Sequence, residues 1–171
     1  MPTANDAGAS IKHAADFSLP TRRAGFTLIE IVIVMLIIMI LASVAVSSYT
    51  GYIARARRVD ARGQLVQVAQ FMQTFYAAND SFLQDRTGNS VLDQIPPALA
   101  QSPADAVKIY SLLIPVATLA DGSFEIRMTP VAGGRMSADQ CGAFTLSSTG
   151  VRGVVLGEVR GDAALRDMCW Q

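Results

Sequence analysis

Glu30 is the only formal charge in a run of twenty-one residues, Phe26 to Val46, of which fourteen are Leu, Ile, Val or Phe. A carboxylate in such surroundings asks for a cationic partner, because an unpaired charge in a low-dielectric environment is costly. The other reactive side chains are Cys141 and Cys169, both near the C-terminus. An even pair in an exported domain reads as one disulfide formed in an oxidising compartment, with two unpaired buried thiols as the alternative. His13 is the only histidine. It falls in the polar first 24 residues, and the remaining chain, with no histidine, cannot build a Ser-His-Asp triad, a Cys-His pair or a His-bearing metal site. No GxSxG, GxGxxG, P-loop or CxxC occurs. The residues call for no catalytic group, no metal and no cofactor, and the chain does not read as an enzyme.

At about 1.5 Å per helical residue the apolar run extends ~31 Å, close to the ~30 Å hydrocarbon thickness of a bilayer. Its aliphatic and aromatic residues favour insertion by roughly 4 to 8 kcal/mol, more than the ~2.5–3.5 kcal/mol cost of an acid at the centre. Residues 1–24 are small and polar and carry Lys12, Arg22 and Arg23, the composition of a leader rather than of folded structure. Removing residues 1–25 leaves eleven basic and twelve acidic residues, a balance that does not suggest a nucleic-acid partner. Charge does not fix orientation either: Arg22 and Arg23 flank one end of the run, and Arg55, Arg57, Arg58 and Arg62 flank the other.

No proline occurs between Thr21 and Ile95, so one helix is expected from Phe26 to about Ala78. Beyond Tyr49 its pattern becomes amphipathic. Leu65, Val68, Ala69, Met72, Phe75 and Tyr76 recur at three- and four-residue steps and define a stripe on which a domain must pack. Arg55, Arg58 and Arg62 lie on the other face, for which a solvated surface is the preferred reading over subunit pairing, phospholipid head groups or DNA. Asn79-Asp80-Ser81 stops the helix, and 82–106, with Pro96, Pro97 and Pro103, reads as a long loop with at most a short helical turn. Strands are expected at 107–113, 124–129 and 143–147, with a weaker one at 151–155. Asp121-Gly122 is a hairpin signal. Residues 156–168 read as charged and irregular. The fold class is α+β, a long N-terminal helix packed by its C-terminal half on a small antiparallel sheet.

Gly25-Phe26-Thr27-Leu28-Ile29-Glu30, preceded by two arginines and followed at once by the apolar run, resembles the class III signal of type IV prepilins. That resemblance implies processing by a prepilin peptidase between Gly25 and Phe26 and N-methylation of Phe26. It implies three segments: a cleaved leader at 1–25, a transmembrane and filament-core helix at 26–46, and a periplasmic or extracellular globular domain at 47–171. Phe26 and Glu30 would act in assembly, the α-amino group of one subunit pairing with Glu30 of a neighbour. Many relatives have a glycine where this chain has Met39 and a proline where it has Ser47, so Gly51 is the nearest weak point of the helix. Cys-Gly-Ala-Phe-Thr-Leu-Ser-Ser-Thr-Gly at 141–150 and the closing Cys169-Trp170 are similar to PilE-type minor pilins, as are Asn79-Asp80-Ser81-Phe82 and Tyr110.

The resemblance implies a minor subunit of a type IV pilus, acting in assembly, twitching motility or adhesion. It would reside as a single-pass inner-membrane protein before assembly and in the extracellular pilus afterwards. Its partners would be other pilin subunits, the inner-membrane assembly machinery, the prepilin peptidase and the membrane. Two alternatives compete with this reading. One is a pilin that captures DNA for transformation, against which Arg152, Arg160 and Arg166 are offset by Glu158, Asp162 and Asp167. The other is a type II secretion pseudopilin.

Overall fold

The computed structural model describes residues 25–171, leaving aside the side chains of 44–48. The leader expected at 1–24, and the side chains of Val44, Val46 and Ser47, lie outside the described residues. The chain divides into two compact units, Met1–Ala42 and Ser43–Gln171. Helix α1 (Leu28–Asn79) begins in the first and continues in the second, helical through Met39, Ser47 and Gly51. Thr27 starts it, its hydroxyl accepting the Glu30 N–H at 3.3 Å, and the Glu30 carboxylate in the first turn complements the helix dipole. Asp80, at φ 60°, ends it, the left-handed conformation being tolerable for a short polar residue.

In the first unit every large apolar side chain from Leu28 to Leu41 is exposed, by between 45% and 83%. The second unit behaves otherwise. Ala61, Leu65, Val68, Met72 and Phe75 of α1 are buried at the three- and four-residue spacing read from the sequence, whereas Ala69 is half-buried and Tyr76 exposed. They share one core with Tyr110, Phe124, Ile126, Met128, Phe144 and Val154 of the sheet. Burial of each large side chain contributes about 1.5–3 kcal/mol.

The sheet is a six-stranded antiparallel meander in chain order, β1 (Gln101–Ser102), β2 (Tyr110–Leu113), β3 (Glu125–Pro130), β4 (Ala143–Ser147), β5 (Arg152–Leu156) and β6 (Val159–Arg160). β3 shows the expected alternation, with Ile126 and Met128 inward and Pro130 as its last residue. β4 coincides with the predicted strand at 143–147, and β5 begins one residue later than expected. Asp121-Gly122 forms a tight turn closed by a single Ala120–Ser123 bridge.

Two readings are corrected. The stretch 82–106 is not one loop: it holds α2 (Val91–Gln94), a 3-10 turn at Pro97–Leu99 and β1. Ser90 caps α2 by accepting from the Leu92 N–H, and Gln64 of α1 donates to the Ala98 carbonyl, which fastens the segment to the helix. Nor is 156–168 irregular, since it contains β6 and most of α3 (Ala163–Trp170). Asp162 starts α3 by accepting from the Leu165 N–H at 2.8 Å, and Ala163, Ala164 and Leu165 are strong helix formers.

Candidate functional site

Two places hold the residues that the sequence marks as functional. The first is the start of α1. Gly25 has open space around it: an added Cβ would meet nothing within 4 Å. Phe26 is exposed, Glu30 is exposed in the first helical turn, and no ion pair to Glu30 occurs among the described residues. The structure thus leaves a carboxylate and an apolar surface together, accessible to another molecule.

The second place is built around the C-terminal pair. Cys141 and Cys169 are bonded, with Cα atoms 5.7 Å apart, and no described cysteine is free. The bridge ties the start of β4 to the end of α3. Cys169 brings Trp170 with it. The Trp170 ring lies edge-on to Phe144 at 5.8 Å and its indole N–H donates to the Gly153 carbonyl at 2.9 Å. Glycine is needed at 153, because a Cβ there would lie 2.6 Å from the Thr145 hydroxyl. The Arg152 guanidinium stands 5.2 Å from the centre of the Trp170 ring, a cation–π arrangement. Arg152, Arg62, Trp170, Val59 and Val66 line a shallow recess of about 320 Å³.

The arginines are not equivalent. Arg58, expected on a solvated face, is held by Asp139 through three contacts of 2.6–3.2 Å, and both side chains are largely buried. Arg62 donates to the main-chain oxygens of Cys169 and Gln171. The solvated-face reading therefore fails for both, because loop and C-terminal acceptors distant in sequence fold over them. Burial first, then the neighbouring Arg58 and Arg152, hold the Arg62 guanidinium below its ordinary value, though an arginine remains charged at neutral pH. Arg160 and Arg127 both bond Glu125. Burial pushes the Glu125 carboxyl up, but these hydrogen bonds outweigh it and leave the group below its usual range. Arg166 pairs with its neighbour Asp167. Of the three acids read as offsetting Arg152, Arg160 and Arg166, Asp167 pairs with Arg166, Asp162 serves as a helix cap, and Glu158 forms no ion pair among the described residues. Arg152 has no carboxylate partner among the described residues and is exposed.

Tyr110 lies beside the Arg58–Asp139 pair. Burial, then the Asp139 carboxylate, pushes its phenol well above the ordinary value, so it stays neutral. Sequence reasoning did not find the pairing of Arg58 with Asp139, eighty-one residues apart, or the placement of Arg152 over Trp170. No local spacing encodes either contact. The adjacency of Cys169 and Trp170 was the available signal for an anchored aromatic. Among the described residues no group of His, Cys, Asp and Glu is arranged to hold a metal ion.

A long helix whose first unit is apolar and uncovered, an antiparallel meander packed on its later turns and a C-terminal disulfide define a type IV pilin. Residues 20–46 match the family described as "Prokaryotic N-terminal methylation motif". Residues 47–145, more than half of the chain, match the family described as "Type IV minor pilin ComP, DNA uptake sequence receptor", and the chain belongs to that family. A solved type IV pilin from Shewanella oneidensis is similar at 22% identity over 64% of this chain and 98% of its own, with a TM-score of 0.36. Membership makes this a pilin, a structural protein and not an enzyme. Among the described residues no helix is long and apolar enough to cross a membrane.

Proposed function

We propose that this chain is a minor pilin of a type IV pilus that binds DNA on behalf of the filament. The family match over 47–145 carries the reading. It reverses the preference drawn from net charge, which averages over arginines whose neighbours differ. The exposed Arg152 and the Trp170 ring supply the two groups a DNA contact uses, a cation for phosphate and an apolar face. Both lie beyond the matched residues.

Before assembly the chain is held in the inner membrane by 26–46. The leader ends at Gly25, which presents no side chain to the peptidase, and Phe26 becomes a methylated N-terminus. In the filament the Phe26 amine of one subunit meets Glu30 of another. The uncovered apolar surface of the first unit supports this sequence, since a lipid or a filament core must cover it.

Retention of double-stranded DNA by the purified processed chain in detergent at physiological salt tests the DNA role. Wild type is expected to bind, and Arg152→Ala to bind more weakly with a salt slope reduced by about 1, the signature of one lost phosphate contact. No retention at all would leave the chain an assembly or adhesion subunit.

A further inference from the structure

Four cations of the second unit have no carboxylate partner among the described residues: Arg55 and Arg57 on the turns of α1 that follow the apolar run, and Lys108 and Arg135 on the segments that carry Tyr110 and Asp139. Lys108 and Arg135 line one recess of about 260 Å³ with Val107, Ile109 and Gly134. The Val131 N–H donates to the Ile109 carbonyl at 3.0 Å, so the two segments are joined there. They are placed at this end of the unit by Arg58, which grips Asp139 in the loop carrying Arg135. Tyr110, two residues from Lys108, lies within electrostatic reach of both Arg57 and Arg58. Asp60 and Asp105 are further acids of this part of the unit beside Asp139, which Arg58 holds, and neither is ion-paired to these cations.

The cations do not stand alone. Val107, beside Lys108, is 86% exposed, an aliphatic side chain presented outward between charges. On α1, Tyr49 and Tyr52, within the two turns before Arg55, are 66% and 63% exposed. Tyrosines, then basic residues and an outward aliphatic tip, in that order after an apolar run, match the layers of a bilayer surface. The opposite end of the unit has the reverse sign. Asp80, Asp85, Asp93 and Asp121 lie on the segments at and past the end of α1, where Arg86 bonds Asp80 and hydrogen bonds join Ser81 to Asp121 and Gln94 to Asp85. An anionic surface attracts one end and repels the other, which orients the unit.

We propose that the pole formed by Tyr52, Arg55, Arg57, Val107, Lys108 and Arg135 seats on the anionic phospholipid head groups of the membrane that holds the unassembled subunit. This rests on the membrane-anchored reading above. Seating keeps the Arg152–Trp170 face from competing for lipid and parks the domain in one orientation before extraction. DNA is the competing polyanion. The pole is the poorer site for it, because its α1 residues follow the anchor directly in the chain, where an anionic bilayer repels phosphate.

The test uses the full processed chain reconstituted in vesicles of phosphatidylcholine alone or with phosphatidylglycerol. Val107→Cys supplies one reactive thiol, the native cysteines being bonded to each other, and carries a fluorophore quenched by nitroxide on lipid head groups. Flotation of the vesicles reports anchoring separately. The expected result is quenching that requires phosphatidylglycerol. Lys108→Gln and Arg135→Gln should each lower the docked-to-undocked ratio about fivefold, while flotation and DNA retention stay unchanged. Equal quenching in both vesicle types, or quenching indifferent to the two substitutions, overturns the proposal. Loss of DNA retention in those variants with quenching intact overturns it too and makes the pole a DNA site. A chain that fails to float refutes the anchoring reading instead, whatever the probe reports.

Discussion

One helix carries two kinds of surface. From Leu28 to Leu41 every large apolar side chain is exposed, whereas between Ala61 and Phe75 a single stripe is buried and the polar residues between, Arg62 and Gln64 apart, face outward. The helical backbone is the same, so the difference lies in side-chain pattern. Apolar residues on all sides cannot be covered by one small sheet, and a stripe can. The second unit therefore satisfies itself, and the first must be satisfied by another molecule. In the function proposed above, lipid and then neighbouring pilin helices would cover it.

The comparison breaks most completely if processing is blocked. Gly25→Val is expected to leave essentially all of the chain with its leader attached and Phe26 unmethylated, as read by intact mass. The folded second unit should be unaffected, with an unchanged melting temperature. Processing of the variant at the wild-type extent would remove the assignment of Gly25.

The next effects fall on the second unit alone. Leu65→Ala removes a fully buried side chain from the stripe and should cost about 2–5 kcal/mol, measured by chemical denaturation. Leu36→Ala, in the first unit, should leave that denaturation transition unchanged. A comparable loss from both would abolish the distinction between the two sections. Cys169→Ser opens a bridge between residues 28 apart, for which chain entropy gives about 3.6 kcal/mol. Because Trp170 and Arg62 depend on the end of α3, the variant should also lose DNA retention. Retention unchanged in the reduced protein would separate the two.

The smallest expected effect concerns acid. Hydrogen bonds from Thr87 and Asn89 hold the Asp85 carboxyl well below its usual range, and Glu125 is lowered as described. Groups with depressed folded values contribute stability that is present above about pH 4, their unfolded value, and lost as the pH falls through the folded ones. The melting temperature of the wild type should therefore drop below pH 4 more steeply than that of Glu125→Gln. Parallel curves would show that the Arg127–Glu125–Arg160 group is not the source.

What the sequence disclosed was set by the range of the interactions. The helix, its buried stripe and strands β3 and β4 depend on periodicities of a few residues, and these appeared where expected. The disulfide followed from there being only two cysteines to pair. β6 and α3 were missed because Asp162 reads as one more charge until its carboxylate is seen accepting the Leu165 N–H. The arginine face of α1 was misread at Arg58 and Arg62, though not at the exposed Arg55, for a related reason. Its partners, Asp139 and the oxygens of Cys169 and Gln171, come from loops that no spacing rule brings to the helix. Net charge is a coarse guide to a DNA contact because it counts Arg58, Arg160 and Arg166, which carboxylates hold, equally with Arg152, which none among the described residues does.

The central claim is that the uncovered section of α1 is completed by other pilins, with Glu30 setting the stagger. Smooth Ile, Val and Leu faces tolerate slippage, whereas a carboxylate and an amine in a low-dielectric core reward one register. The direct measurement is the ratio of this subunit in sheared pili to that in membranes, for wild type and Glu30→Ala at matched expression. The account predicts a strongly reduced ratio, with membrane levels and the melting of the second unit unchanged. An equal ratio in the two proteins would contradict it.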